Sequence, residues 1–269
     1  MKRSPVRPHD KSALSDRAAQ SPRALDADDD TLEKKMEKLR TRMDELQNAL
    51  YAESKQSLLV VLQARDAGGK DGTIRRVFST INPQGCSVTA FKAPSHVELA
   101  HDYLWRVHAV VPAHGMIGIF NRSPYEDILA VRVHDLAPKK VWKARYDQIN
   151  EFEKYLTENS VTIVKFFLHV SKEEQRARLS DRLTDESKNW KFQEADLAER
   201  DLWDDYTKAY IDVLRKCSTK AAPWFIVPAD RKHARDYLVL EKIVSTLERM
   251  NPQYPKVDAA ALKLLAKLQ

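Results

Sequence analysis

The sequence predicts an α/β fold in three layers: a parallel sheet of about five strands with helices on both faces. Three observations carry this. Five β-prone runs, at 57–62, 87–91, 116–120, 161–170 and 224–227, are almost continuously apolar, as strands buried on both faces are. Longer stretches of helical character separate them, which is the order of elements in a parallel sheet. The first run stops abruptly at a glycine-lysine pair, in "LLVVLQARDAGGKDGT" at 58–73, and the pattern after it is helical.

Taken in order, residues 1–30 hold scattered Pro, Ser, Arg and Asp without apolar periodicity, and are expected to form a mobile leader. Six Lys or Arg offset six Asp there, so the net charge of +6 belongs to the rest of the chain. From Asp30 onward, Leu32, Met36, Leu39, Met43, Leu46 and Leu50 recur at spacings of four and three. This predicts an amphipathic helix over 31–56, with Asp30 as N-cap and Glu33 three residues on. The repeat is short for a coiled coil, so the helix is expected to pack on its own domain, with a contact between two copies as the alternative. The α/β domain is placed at 57–255. Within it, 171–216 is charged, helix-rich and poor in apolar positions, and is assigned to a lid; 256–269 is expected to be a tail helix.

Composition narrows the function. The 269 residues, 43% apolar, are ample for a core. Cys86 and Cys217 lie far apart and form no C-x-x-C, which suits a reducing compartment. There is no apolar run of roughly 18 residues and no secretory pattern near the start, so a cytoplasmic protein is expected, with no membrane partner. His96, His101, His108 and His114 show no metal-binding spacing, and there is no G-x-S-x-G elbow. The positive balance points to an anionic partner: nucleic acid, a phosphate polymer or a phosphorylated small molecule.

The glycine-lysine loop favours phosphate. A buried strand feeding a glycine turn and then a helix aims backbone N–H groups and the positive end of a helix dipole at one spot. Ala67, Gly68, Gly69, Asp71 and Gly72 would cradle phosphate there, and Lys70 would place a charge between two phosphoryl groups. The usual pattern, G-x-x-x-x-G-K followed by Ser or Thr, fails twice, because Ala64 and Asp71 hold the glycine and hydroxyl places. Thr73 is the candidate first-turn hydroxyl. A carboxylate beside phosphates is repulsive unless a cation lies between them, so Asp66 is expected to hold Mg²⁺. The alternative is a plain strand-to-helix turn with an incidental lysine.

A second stretch, "GIFNRSPYED" at 118–127, sits at the C-terminal end of a predicted strand, the edge where open α/β sheets bind ligands. Asn121, Arg122, Glu126 and Asp127 would then face the same crevice as Lys70, unless the loop merely caps its strand.

These two stretches, together with "INPQG" at 81–85, "HDYLWR" at 101–106 and "NWKF" at 189–192, resemble the polyphosphate kinase 2 family, from about Leu50 to Pro255. The family's Walker A loop is commonly D-x-x-G-K, which Asp66 and Lys70 match. Its Walker B segment often reads F-D-R-S-W-Y, where this chain has "FNRSPYED", and the asparagine with the Tyr-Glu-Asp ending resembles the subgroup that accepts AMP as well as ADP.

The resemblance implies a P-loop kinase-like fold with a helical lid, and Mg²⁺-dependent phosphoryl transfer from inorganic polyphosphate to AMP or ADP, with guanine nucleotides as further acceptors. It also implies a homodimer or homotetramer, with no specific nucleic acid partner. Asp66, Lys70, Asn121, Arg122, Glu126, Asp127, Arg178 and Arg182 become the catalytic candidates, and Asp66, Asn121 and Glu126 the metal candidates. Ser171 and Glu174 form a capping-box pattern at the start of "KEEQRARLSDR", on which Arg178 and Arg182 share a face and would clamp the transferring group. A solvated helix with Glu173 and Glu174 as partners is the alternative. Lys188 and Lys191, flanking Trp190, and Arg75 beside Arg76 are further phosphate candidates, each set against a reading as solvated surface. Two other functions compete: an ATP-dependent nucleoside monophosphate kinase, and a non-catalytic binder of polyphosphate or nucleic acid.

Overall fold

A computed structural model describes residues 14–25 and 27–257. The expected tail helix lies almost wholly outside them, as does the first half of the expected leader. The elements in chain order are α1 (Asp16–Ala19), α2 (Asp29–Glu53), β1 (Ser57–Ala64), α3 (Lys70–Val77), β2 (Cys86–Ala90), α4 (His96–Leu99), α5 (Trp105–His108), β3 (Ile117–Asn121), α6 (Glu126–Val133) and α7 (Lys139–Glu158). They continue with β4 (Val161–His169), α8 (Lys172–Thr184), α9 (Ala195–Asp201), α10 (Trp203–Lys216), β5 (Trp224–Pro228) and α11 (Lys232–Met250).

The five strands form one sheet in the order β2-β3-β1-β4-β5, every pair parallel. β1 is buried along its whole length because both its faces are covered. Leu58, Val60, Leu62 and Ala64 join a cluster with Met36, Met43 and Leu50 of α2 and Val239, Ile243 and Leu247 of α11. Leu59 and Val61 point the other way, into a cluster with Ile128 of α6, Ile149 of α7 and Val213 of α10. Alternation within a nearly unbroken apolar strand therefore feeds two cores.

Connections leave β1 toward β2 on one side and later cross to β4 on the other, which opens a crevice at the C-terminal end of β1. Register fixes what meets there. Leu62 pairs with Asn121, so the loop after β1 and the loop after β3 start side by side.

Three expectations are corrected. α2 begins earlier than predicted: its N-cap is Asp28, not Asp30, and Asp28 accepts from Thr31 N at 2.7 Å and from Thr31 Oγ1 at 3.1 Å. From Leu14, the expected mobile leader is instead a strap docked along the ends of β4 and β5. Leu14 and Ala19 are buried, Ser15 O accepts from His169 Nε2 at 2.8 Å, and Ala19 O accepts from Asp230 N at 3.2 Å. A few small contacts and backbone hydrogen bonds tie it down, and these leave no periodic trace in sequence.

The assigned lid also shrinks. α10 buries Trp203, Ala209, Tyr210, Val213 and Leu214, so it is a core helix, and only the stretch from the end of α8 through α9 projects over the crevice. Its apolar stripe is interrupted by Asp204, Asp205, Lys208 and Asp212 on the outer face, which lowers its average without weakening its inner one. Among the described residues no helix is long and apolar enough to cross a membrane. Cys86 and Cys217 are both free thiols.

Candidate active site

A cleft of about 520 Å³ opens where the loops after β1 and β3 meet the arm from α8 to α9. Residues 66–72 form its floor, Asn121 and Arg122 one wall, and Arg178, Arg182, Lys188, Trp190 and Lys191 the other. Eight lysines and arginines line it against four aspartates. Such a site attracts polyanions and holds them in competition with bulk counterions.

The loop's shape follows from its glycines. A Cβ on Gly68 would stand 2.6 Å from Ala64 Cβ and 2.8 Å from Arg65 O, so only glycine lets the chain fold back on the strand end. Gly69 has φ +99°, a left-handed conformation that glycine adopts without strain, and it is the N-cap of α3. The helix thus starts at Lys70, so the N–H groups of its first turn belong to the cleft floor.

Lys70 is 9% exposed, and its Nζ donates to Ala64 O at 3.0 Å and Arg65 O at 3.4 Å. Burial holds its pKa below the ordinary lysine value, and the Arg122 charge adds to this against Asp66, Glu126 and Asp71. An arriving phosphate offers a far better partner than two carbonyls, so the ammonium is poised to turn toward it.

Arg122 sits at φ +69°, an uncommon conformation for a residue with a side chain. It reaches Asp66 Oδ1 at 2.9 Å and Glu126 Oε1 at 3.5 Å. Burial acts to lower its pKa, but the Glu126 and Asp66 carboxylates outweigh this and hold it above its ordinary value. Below this loop, Gln63 donates to Glu126 at 2.5 Å, and Ser123 Oγ donates to Gln63 Oε1 at 3.1 Å. Tyr125 is fully buried and donates to Glu153 at 2.9 Å; Glu153 in turn pairs with the buried Lys165 at 2.5 Å. The loop after β3 is therefore pinned from beneath by a hydrogen-bonded ion pair.

Several candidates have other duties. Asn121 Nδ2 donates to Asp71 Oδ1 at 2.8 Å, and Asp71 also faces Lys191 of the arm at 3.9 Å. Asp127 lies behind the cleft, 3.6 Å from Arg106, with Arg145 donating to its backbone carbonyl; burial raises its carboxyl pKa. Thr73 is buried and donates to Asp236 Oδ1 at 2.9 Å rather than facing the floor. Arg75 is exposed on α3 and is not among the cleft-lining residues.

The arginine pair on α8 divides. Arg178 is 8% exposed and donates to Ala67 O, Ala229 O and Asp230 O at 3.0, 2.6 and 3.0 Å, and to Glu174 at 2.8 Å. It braces the loop. Arg182, one turn on, pairs with Asp196 at 3.0 Å and borders the open cleft. The expected capping box is half formed: Ser171 Oγ accepts from Glu174 N at 3.1 Å, but the Glu174 side chain serves Arg178 and Ser171 N donates to Asp230 instead. Lys188 pairs with Asp185 at 2.5 Å, and Trp190 is 76% exposed at the mouth.

No three His, Cys, Asp or Glu side chains come together as a metal cage among the described residues. Mg²⁺ does not need one: it keeps several waters and is held by one or two carboxylates plus substrate phosphates. Asp66 lines the cleft floor and fits that role by exchanging its 2.9 Å contact with Arg122 for the ion; Glu126 is not among the cleft-lining residues, and Asn121 is turned toward Asp71.

Sequence reasoning missed Lys92 and Lys232 in the lining, and Arg235 beneath the loop. Lys232 and Arg235 belong to "DRKHARD" after β5, a basic run at the same sheet edge, which was the available signal.

The family model for polyphosphate kinase 2 matches residues 26–255. An AMP/ADP-polyphosphate phosphotransferase of Meiothermus ruber is 52% identical over 227 residues, 84% of this chain and 85% of that protein. An ADP-polyphosphate phosphotransferase of Rhodopseudomonas palustris is 45% identical over 240 residues, 85% of this chain and 83% of that protein. The crystal structure of polyphosphate kinase 2 from Arthrobacter aurescens superposes with a TM-score of 0.88 at 41% identity, covering 93% of this chain and 91% of that one.

Proposed function

The chain belongs to the polyphosphate kinase 2 family, and from that premise we propose that it transfers the terminal phosphoryl group of inorganic polyphosphate to AMP and ADP, reversibly and with Mg²⁺. The observation that carries this is the convergence of the loop at 66–72, Arg122 and Arg182 on one strongly basic cleft.

The donor chain lies in the cleft with its terminal phosphoryl group over the loop amides, and Lys70 turns from its carbonyl partners to the phosphate oxygens. A terminal phosphate oxygen of the nucleotide attacks the end phosphorus in line. The new P–O bond forms as the old anhydride bond breaks, and the shortened polyphosphate leaves with the bonding electron pair. The acceptor oxygen is already ionised at neutral pH, so no general base is required. Arg122 and Arg182 stabilise the charge spread over the equatorial oxygens, as positioned guanidinium groups do in phosphoryl transfer. Asp66 would hold Mg²⁺, which neutralises phosphate charge when bound. Trp190, at the mouth, offers an aromatic face to the acceptor base.

Since one phosphoanhydride is exchanged for another, the equilibrium follows concentrations. The test is ³¹P NMR of the protein with polyphosphate, Mg²⁺ and either AMP or ADP. New nucleotide β- or γ-phosphorus signals, absent with Lys70→Ala, are expected; no signal with either acceptor would overturn the proposal.

A further inference from the structure

Beneath the phosphate loop lies a buried arginine that belongs to neither strand-end motif. Arg235, in the first turn of α11, is 2% exposed. Its Nε and Nη2 each lie 2.7 Å from Oδ1 of Asp236, the same oxygen that accepts from Thr73 Oγ1 at 2.9 Å. Asp236 is fully buried, so a chain of hydrogen bonds runs from the first turn of α3 through a buried carboxylate to the guanidinium.

The guanidinium in turn lies against both glycines of the loop. A Cβ on Gly69 would stand 2.0 Å from Arg235 Nη1 and 2.9 Å from its Cζ, and a Cβ on Gly72 would stand 3.6 Å from Nη2. Gly69 therefore leaves open the space that Arg235 fills, in addition to supplying a left-handed turn. Arg178 approaches the same place, its Nη1 3.5 Å from that Cβ position and bonded to Ala67 O. One arginine draws a loop carbonyl back; the other supports the α-carbon face of the turn.

We infer that Arg235, seated by Asp236 and Thr73, is a positioning residue that holds the phosphate loop in its anion-binding conformation. This rests on the cleft being a phosphate site, and it extends that reading to a residue outside the cleft lining. Burial and then the nearby Arg235 charge work against the Arg178 cation, with Glu174 opposing them. Arg178 and Arg235 are thus two buried cations that repel each other beside a short loop, and an anion on the loop offsets that repulsion in a medium where charges are poorly screened.

The experiment is calorimetric titration of sodium tripolyphosphate into the wild type, Arg235→Lys, Arg235→Gln and the double variant Arg235→Gln/Asp236→Asn, each with its melting temperature. The double variant removes the carboxylate that Arg235→Gln alone would leave buried and unneutralised. Positioning predicts about a tenfold weaker Kd in any folded variant with glutamine, and three- to tenfold in Arg235→Lys, which keeps the charge but not the flat plate spanning both glycines. It also predicts that in turnover the KM for polyphosphate rises while kcat stays within about threefold. A folded variant with wild-type Kd overturns the proposal; if neither glutamine variant folds, an unchanged Kd in Arg235→Lys does so. Failure of the wild type to turn over polyphosphate would instead count against the functional reading, because tripolyphosphate binding is measured without turnover.

Discussion

The phosphate loop and the arm above it both present cations to one cleft, but they are built in opposite ways. Around the loop, Lys70, Arg178 and Arg235 are buried and committed to carbonyls or to Asp236. On the arm, Lys188, Trp190 and Lys191 are exposed; the two lysines pair with Asp185 and Asp71, and the Trp190 indole N–H donates to Ser187 O. Buried groups cost free energy when left unsatisfied, so the loop is preorganised and cannot lose a member quietly. Exposed ion pairs are worth little, so the arm's contacts can be exchanged for those of a substrate. Under the proposed function, the loop would define where phosphate sits and the arm would exchange its exposed pairs for contacts with the substrate.

The most severe break is Lys70→Ala. Turnover should fall about 10³-fold, as when a transition-state charge partner is removed, measured as kcat with saturating polyphosphate. Next, the two arginines of α8 should separate by type of damage. Arg178→Ala strips a buried, multiply bonded cation and should destabilise the fold by about 3 kcal/mol in urea unfolding. Arg182→Ala should leave stability almost unchanged and lower kcat about 10²-fold. Equal loss of stability in the two variants would erase the distinction between loop and arm. Trp190→Ala should raise the KM for nucleotide several-fold with kcat and melting temperature nearly constant, about the loss of one stacking contact.

The smallest effect concerns the strap along the ends of β4 and β5, whose Asp16 also accepts from Lys172 N at the start of α8. Burial depresses the His169 pKa below the ordinary 6.5, so the folded state resists the proton that the unfolded chain takes up. Its contribution is complete above pH 6.5 and is lost as pH falls toward the folded value. The melting temperature should therefore drop between pH 7 and 5.5, and drop less in His169→Gln, whose amide can still donate to Ser15 O.

Much of this was legible before any coordinates. The five strands fall within a few residues of their predicted spans, because strands buried on both faces are near-continuous apolar runs. The loop at 66–72 was legible from glycine clustering, and its place beside Asn121 and Arg122 from the rule that ligands gather at the C-terminal edge of such a sheet. The strap was not: Leu14, Ala19 and two hydrogen bonds to its backbone carbonyls carry no period. Nor was the core role of α10, whose polar outer face dominated its composition.

The residues in their order dictate local features: which segments are strands, where the chain must turn on glycine, and which positions carry the charge. Tertiary structure alone decided partnership. Arg178 and Arg182 are indistinguishable on a helical wheel, yet one is buried under Ala67, Ala229 and Asp230 and the other borders solvent. Thr73 looks like a phosphate ligand until Asp236, 163 residues away, claims its hydroxyl. The physical reason is that a polar side chain's free energy depends on burial and on which groups satisfy it, and both are set by segments distant along the chain.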